Sequence, residues 1–274
     1  MYTADAGGCG LGLTDGRMMV PRGRMLGGSS GINYMAYVRG HPGDFDSWAA
    51  GGAAGWSYDE VLPYFKKSEG LAPSGDIITD AEANNAQGSL GVSVRAPVLT
   101  AAEEFVAAAV AAGIPCGDYN GRDRGGPDGV VSLVQTTTRA GKRSSTYHAF
   151  LEGEVEQRPN LEVICGAQVT RVILEGGPGG LRATGVEYRR DDGATVVAQA
   201  AREVILSAGA VGSPQILMLS GIGPKSELEA AGVACRLDAD EVGKHLKDHL
   251  QVGLLFPAPG AGIAHDGDGP VDGL

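Results

Sequence analysis

The sequence predicts an α/β fold, on three observations. The first half of the chain carries two helix-start signatures, Ser57 with Glu60 and Thr100 with Glu103, each spaced as in a capping box. From Leu161 onward the texture changes to short runs with β-branched residues, punctuated by glycine. Within that second half the apolar run Val204-Ile205-Leu206 leads through Ala208-Gly209-Ala210 toward a helix start at Ser213-Pro214. Strand, small-residue turn and helix in that order are the unit from which α/β proteins are built.

Taken in order, residues 1–16 hold five glycines and no apolar periodicity, which predicts a loop and not a first strand. Residues 57–69 read as a helix capped by Ser57 and closed by Lys66 and Lys67, with Pro63 expected to kink or shorten it. Residues 71–91 are polar and small, hence a loop. Residues 100–112 form a clearer helix, with Ala102, Phe105, Val106, Ala109 and Val110 as its stripe and Gly113 as its stop. A short helix is expected over 144–151. Strands are expected over 161–165, 168–174, 183–188, 194–199 and 203–207. Hairpin turns are marked by Pro178 among its glycines and by Asp192-Gly193. The run 204–206 should be buried on both faces. Helices follow from Ser213 to about Leu219 and over 225–231, the latter behind Pro224 and ended by Gly232. After Val252 the chain becomes a tail rich in Gly, Pro and Asp, expected to be disordered.

Composition removes several function classes. With 33 acidic against 22 basic residues the net charge is −11, which argues against nucleic acid, whose binding needs clustered Lys and Arg. No run approaches the ~18 apolar residues of a membrane span. No apolar stretch precedes Arg17, the first basic residue, so no secretory signal is read. Cys9, Cys116, Cys165 and Cys235 contain no Cys-x-x-Cys pair, which argues against a zinc ribbon or a disulfide scaffold. The default expectation is a reduced, cytoplasmic setting.

The densest chemical signal is Pro21-Arg22-Gly23-Arg24-Met25-Leu26-Gly27-Gly28-Ser29-Ser30-Gly31-Ile32-Asn33. Consecutive glycines let backbone approach a flat or anionic ligand, and arginines nearby suit phosphate. The same stretch contains Gly27-Gly28-Ser29-Ser30-Gly31, which fits the G-x-S-x-G elbow of serine hydrolases. Ser29 would then be the nucleophile, with Asp240 or Asp248 as acid and His249 or His265 as base. That elbow requires a strand before it, where Pro21 and Gly23 stand. His245 and His249 have a spacing that can hold zinc on a helix, but no third ligand is evident. Asp266-Gly267-Asp268-Gly269 is half a calcium loop, interrupted by Pro270. There is no Gly-x-Gly-x-x-Gly and no Walker loop.

Two longer stretches identify a family by resemblance. Residues 23–46, in the form Gly-Arg-x-Leu-Gly-Gly-Ser-Ser-x-Ile-Asn-x-x-x-Tyr-x-x-Gly-x-x-x-x-x-Asp, resemble the first signature of the glucose–methanol–choline (GMC) oxidoreductases. Gly209-Ala210-Val211-Gly212-Ser213-Pro214-Gln215-Ile216-Leu217-Met218-Leu219-Ser220-Gly221-Ile222-Gly223 is similar to the second. Gly141-Lys142-Arg143-Ser144-Ser145 and Arg158-Pro159-Asn160-Leu161 are similar to choline dehydrogenase relatives, and the resemblance spans roughly residues 16–250.

The resemblance implies a Rossmann-like FAD-binding domain, incomplete here, with a β-meander and part of a substrate or cap region. It implies FAD-binding segments over 1–70 and 151–235, a cap segment over 71–150, and the start of a substrate domain with the tail over 236–274. It implies oxidation of a small-molecule alcohol, hydride passing from the alcohol carbon to FAD. Met25, Leu26, Gly27 and Gly28 would run along the cofactor, and Asn33, Tyr34, Met35 and Ala36 would lie against its isoalloxazine. Val169 matches a backbone contact to the adenine, and Ala208 and Gly209 match small residues close to the cofactor. Ile32 stands where some relatives attach flavin through histidine, so FAD is expected to be non-covalent. His245 replaces an asparagine of the family pattern in Gly243-Lys244-His245-Leu246-Lys247-Asp248-His249. The first dinucleotide-binding unit and the half bearing the catalytic histidine are expected to lie outside this chain, which is therefore expected to be inactive alone. None of His41, His148, His245, His249 and His265 matches the catalytic position, and no catalytic residue is read. A non-catalytic remnant that only folds or binds a partner is the other reading. The particular alcohol, the electron acceptor and the oligomeric state are not written in the residues.

Overall fold

The computed structural model describes residues 2–5, 12–72, 79–94, 98–122, 124, 129–177 and 180–249. The chain divides into two compact units, one running through Leu161 and the other from Glu162.

The first unit begins with β1 (Tyr2–Asp5) paired antiparallel with β2 (Arg17–Val20), Tyr2 opposite Val20. The loop expected over 1–16 is therefore corrected at its start. Four residues are too few to show a period, and their ladder is made with a segment well downstream. Helix α1 (Pro42–Ala50) went unread in the sequence; its cap is His41, whose Nδ1 accepts the Gly43 N–H, with Asp44 returning to the His41 N–H. Helix α2 (Tyr58–Ser68) starts where the capping box places it. The Glu60 carboxylate accepts from the Ser57 N–H (3.1 Å) and hydroxyl (2.5 Å). Pro63 does not shorten the helix, which continues to Ser68. Burial of Tyr58 and Leu62 against Phe45, flanked by Val61 and Phe65, offsets the hydrogen bond Pro63 cannot donate.

The hydrogen bonds from Ser57 hold the Glu60 carboxyl below its usual range. A depressed carboxylate contributes stability that is present above the unfolded value and lost as pH falls through the folded one. Ser57→Ala is thus expected to lower the melting temperature at neutral pH, and the gap from wild type should narrow as pH drops below about 4. A gap that stays constant from pH 7 to pH 3 would contradict this.

Strand β3 (Glu69–Leu71) runs parallel to β4 (Leu90–Val94), which pairs antiparallel with β5 (Gln135–Thr136). The ends of the loop expected over 71–91 are thus recruited into strands. Tyr37, Leu71 and Val92 form the core over this sheet. Helix α3 (Thr100–Ala111) is present, but its cap is Leu99, with no side-chain hydrogen bond, and Thr100 is already helical. Its expected stripe is only partly covered: Ala102, Val106 and Ala109 are half-buried, Phe105 is 70% exposed, and no residue of the helix is fully buried. The hairpin β6 (Thr138–Arg139) and β7 (Lys142–Arg143) leads through Ser145, an N-cap, into α4 (Thr146–Phe150).

The second unit is a three-stranded antiparallel meander of β8 (Ala167–Gly177), β9 (Gly180–Arg190) and β10 (Thr195–Gln199), with β9 central. Helix α5 (Gly209–Leu219) packs on β8, and the Ser220 hydroxyl accepts the Val172 N–H at 2.8 Å. The helix begins four residues before the expected start. Gly209, Ala210, Val211 and Gly212 coil as its first turn, and the Ser213 hydroxyl accepts the Ala208 N–H instead of capping. β11 (Ile222–Gly223) and β12 (Leu237–Asp238) pair in parallel around α6 (Lys225–Ala230). Residues 161–165 and 203–207, both expected as strands, are not in strands. Ile205 is 76% exposed, so the expected burial on both faces is corrected. An extended segment becomes a strand only when a neighbour supplies its ladder, and no described residue does so here. The tail after Val252, His265 and the half calcium loop lie outside the described residues. Among those described, no helix is long and apolar enough to cross a membrane, and no cluster of His, Cys, Asp and Glu could hold a metal ion.

Candidate functional site

The glycine-rich stretch of the first unit folds into a tight turn. The Gly28 N–H donates to the Met25 carbonyl at 2.9 Å, and Gly28–Gly31 make one turn of 3-10 helix. A Cβ at Gly23 would lie 2.1 Å from the Gly28 carbonyl oxygen, and one at Gly27 would lie 2.9 Å from Ser145 Oγ. At Gly28, where φ is 53°, a Cβ would meet nothing within 4 Å. Gly23 and Gly27 are therefore required by the chain's own packing, whereas Gly28 turns bare backbone toward open space. Bare backbone facing open space is compatible with the close approach of a flat or anionic ligand.

The turn is tied from the side of α4. The Ser30 hydroxyl donates to the Gly27 carbonyl (2.6 Å) and accepts the Thr146 N–H (3.0 Å), while the Thr146 hydroxyl donates to the same carbonyl (3.1 Å). Arg143 Nη1 donates to the Ser30 carbonyl (3.2 Å) and to both the carbonyl and Oδ1 of Asn33 (2.8 Å each). Asn33 Oδ1 also accepts the Met35 N–H at 3.1 Å. Met35 sits at φ 62°, a region that non-glycine residues rarely occupy. Its carbonyl accepts from the Thr137 N–H (2.7 Å) and hydroxyl (3.3 Å), which holds it there. Met25, Leu26, Asn33, Tyr34 and Ala36 are exposed, Tyr34 by 93%, while Gly27, Gly28 and Met35 are half-buried.

Behind this surface lies a buried polar network that local sequence pattern does not reveal. Arg39 Nη2 and Glu69 Oε2 are 2.5 Å apart, and both side chains are fully buried. Arg39 also donates to the Tyr37 hydroxyl (3.2 Å) and the Ala83 carbonyl (2.7 Å). Asn120 accepts the Arg39 backbone N–H (2.9 Å) and donates to the Tyr37 carbonyl (3.0 Å) and Gln135 Oε1 (2.8 Å). Gln135 in turn donates to Asp118 (3.1 Å). Burial pushes the Glu69 carboxyl up against the pull of Arg39 and the Asn85 N–H. The Tyr119 hydroxyl donates to the Tyr37 carbonyl at 3.0 Å, and burial lifts its pKa to about 12. The strand-like segment after Asn33 is thereby fixed along both its backbone and its side chains.

The remaining candidates belong to the second unit. Val169 is a half-buried residue of β8, opposite Tyr188, and β8 is an edge strand whose outer backbone row has no ladder partner in the sheet. Ala208 is the N-cap of α5, and Gly209 follows at φ 82°.

The hydrolase reading fails on geometry. Residues 21–24 form no strand, and the Ser29 hydroxyl accepts the Gly23 N–H at 3.2 Å. The serine that does meet an imidazole is Ser145, 2.6 Å from His148 Nδ1 and itself buried. The other described histidines have structural or surface roles. His41 caps α1, exposed His245 pairs with Glu241 at 2.8 Å, and His249 is exposed. Residues 245–249 are not helical, so the zinc spacing does not place two imidazoles on one helical face.

A family model described as GMC oxidoreductase matches residues 4–251. The oxygen-dependent choline dehydrogenase of Sinorhizobium medicae is 41% identical over 243 residues, covering 87% of this chain and 41% of that protein. Among solved structures, an FAD-dependent oxidoreductase from Chaetomium thermophilum aligns with a TM-score of 0.73 and 31% identity, over 81% of this chain and 38% of that one. Pyridoxine 4-oxidase from Mesorbium loti aligns with a TM-score of 0.70 and 34% identity, over 80% of this chain and 41% of that one. The chain thus spans about two fifths of the length of these relatives.

Proposed function

The chain belongs to the GMC oxidoreductase family, and from that premise we propose that it supplies part of the cofactor site of an FAD-dependent alcohol oxidoreductase of choline dehydrogenase type. The observation that carries the reading is the open backbone face at Gly28, in the same signature stretch as the exposed Asn33. Met25, Leu26, Gly27 and Gly28 would hold the cofactor along the turn. Asn33, Tyr34, Met35 and Ala36 would meet its ring system. For the second unit, taken by itself, Val169 is proposed as a backbone contact to the adenine, and Ala208 and Gly209 as small residues close to the cofactor. Bound FAD supplies the hydride acceptor for the alcohol carbon. The chain's own residues bind and orient: small side chains admit the flat ring, and Asn33 offers hydrogen bonds to its polar edge. Ile32 carries no nucleophile, so the cofactor is held without a bond to that position. A base near the hydroxyl is also needed, and we assign that role to none of this chain's histidines.

Two measurements test this. The intact protein should purify with flavin whose absorbance bleaches on addition of an alcohol such as choline. The 274-residue chain alone should quench FAD fluorescence weakly and show no alcohol-dependent dye reduction. It contains no Gly-x-Gly-x-x-Gly loop to place the pyrophosphate on a helix N-terminus, where much dinucleotide affinity arises. An intact protein without flavin would reject the proposal; tight stoichiometric FAD with turnover by the chain alone would reject the division of roles.

A further inference from the structure

We propose that Arg143 is a positioning residue that fixes which end of the Asn33 amide faces the cofactor. The inference rests on the placement of Asn33 proposed above. Arg143 is 110 residues from Asn33 in sequence, yet one of its nitrogens, Nη1, reaches three oxygens of the signature loop. Two of them belong to Asn33, and one is the side-chain Oδ1. A guanidinium carries donors only. The Asn33 atom facing Arg143 must therefore be the acceptor, and a flipped amide would set NH2 against a cation. The Met35 N–H, at 3.1 Å from the same Oδ1, makes the same demand from a second direction. Both neighbours choose one orientation, so Oδ1 is engaged inward and Nδ2 has no partner among the described residues. Asn33 is exposed, and Nδ2 is consequently presented outward as a hydrogen-bond donor.

This assigns a polarity to the site. The group that meets Asn33 must be an acceptor, and it is met by a donor whose orientation is set before binding. A donor toward an accepting edge of the flavin favours the electron-rich reduced form, so it raises the reduction potential. Arg143 itself is half-buried behind the loop and acts through Asn33. Because all three contacts come from one nitrogen, a lysine ammonium with its three donors can replace them, unlike the situation at a two-nitrogen carboxylate clamp.

The test uses the flavin-loaded intact protein and reads the flavin midpoint potential and the FAD dissociation constant in Arg143→Met, Arg143→Lys, Asn33→Ala and the Arg143→Met/Asn33→Ala double variant. Arg143→Met should lower the potential and weaken FAD about fivefold, the value of one hydrogen bond. Arg143→Lys should restore most of both. In the Asn33→Ala background, Arg143→Met should cause no further change in potential. An equal shift in that background would overturn the inference, as would an unchanged potential in folded, flavin-bound Arg143→Met while Asn33→Ala does shift it. If Arg143→Met does not fold, Arg143→Lys carries the test: a lowered potential equal to that of Asn33→Ala would overturn the inference. If Asn33→Ala leaves the bound flavin's potential and affinity untouched, the placement of Asn33 fails, and the inference fails with it.

Discussion

Gly28→Val in the intact protein is expected to fold and to purify without flavin. The side chain would enter the open space at Gly28, where a Cβ meets no protein atom within 4 Å, and fill the cradle proposed for the cofactor. Valine also resists the left-handed backbone, φ 53°, at a cost of about 1–2 kcal/mol. Gly28→Asn separates the two causes, because asparagine tolerates that conformation while still occupying the space. It should retain the wild-type melting temperature within a few degrees and still lose flavin. Gly23→Ala is the contrasting control. Its Cβ would lie 2.1 Å from the Gly28 carbonyl oxygen, so it should disrupt the turn itself and lower stability. Undiminished flavin absorbance in folded Gly28→Asn would reject the cofactor placement.

The largest loss of stability is expected from Arg39→Met. It removes the cation paired with fully buried Glu69 and leaves the carboxylate with the Asn85 N–H but no opposite charge among the described residues, a change that costs about 3–5 kcal/mol. The effect should depend on pH in a definite direction. Burial already raises the Glu69 carboxyl above its ordinary value while Arg39 lowers it and Asp118 raises it. Without Arg39 the folded carboxyl titrates higher still. Between the unfolded and folded values the folded state then binds more protons, so stability falls as pH rises through that window. Arg39→Met should be most destabilised at neutral pH and recover part of the loss toward pH 4–5. Equilibrium denaturation at several pH values checks this; a loss below about 1 kcal/mol at pH 7 would show that the network tolerates the bare carboxylate. Arg39→Met/Glu69→Leu, which removes both charges, should recover much of the stability lost by the single variant.

These two expectations draw on different kinds of information. The glycine turn was legible in the residues, because Gly27, Gly28 and Asn33 stand close together in a long motif whose form the family shares. The Arg39 network was not. Glu69, Asp118, Asn120 and Gln135 are single polar residues scattered along the chain, and only the folded path brings them to Tyr37 and Arg39. The role inferred for Arg143 is equally invisible in the sequence, because its partners lie 110 and 113 residues away.

By itself the sequence determined the α/β class, the family, the glycine turn and the start of α2, while α1 is not read from it and the starts of α3 and α5 are displaced. Ser57 with Glu60 starts α2 in the structure as in the sequence, since a cap is a bond across three residues. Tertiary structure alone decided what depended on distant partners. Residues 2–5 became a strand because Arg17–Val20 pair with them, while 203–207, with the better β-forming sequence, have no ladder partner among the described residues and are in no strand. Phe105 and Val110 lie exposed on a stripe whose Ala102, Val106 and Ala109 are only half-buried, for the same reason. Caps and turns are closed by residues a few positions apart, so their information is local; ladders, burial and buried charge pairs need a second segment at the right place, and that information resides only in the fold.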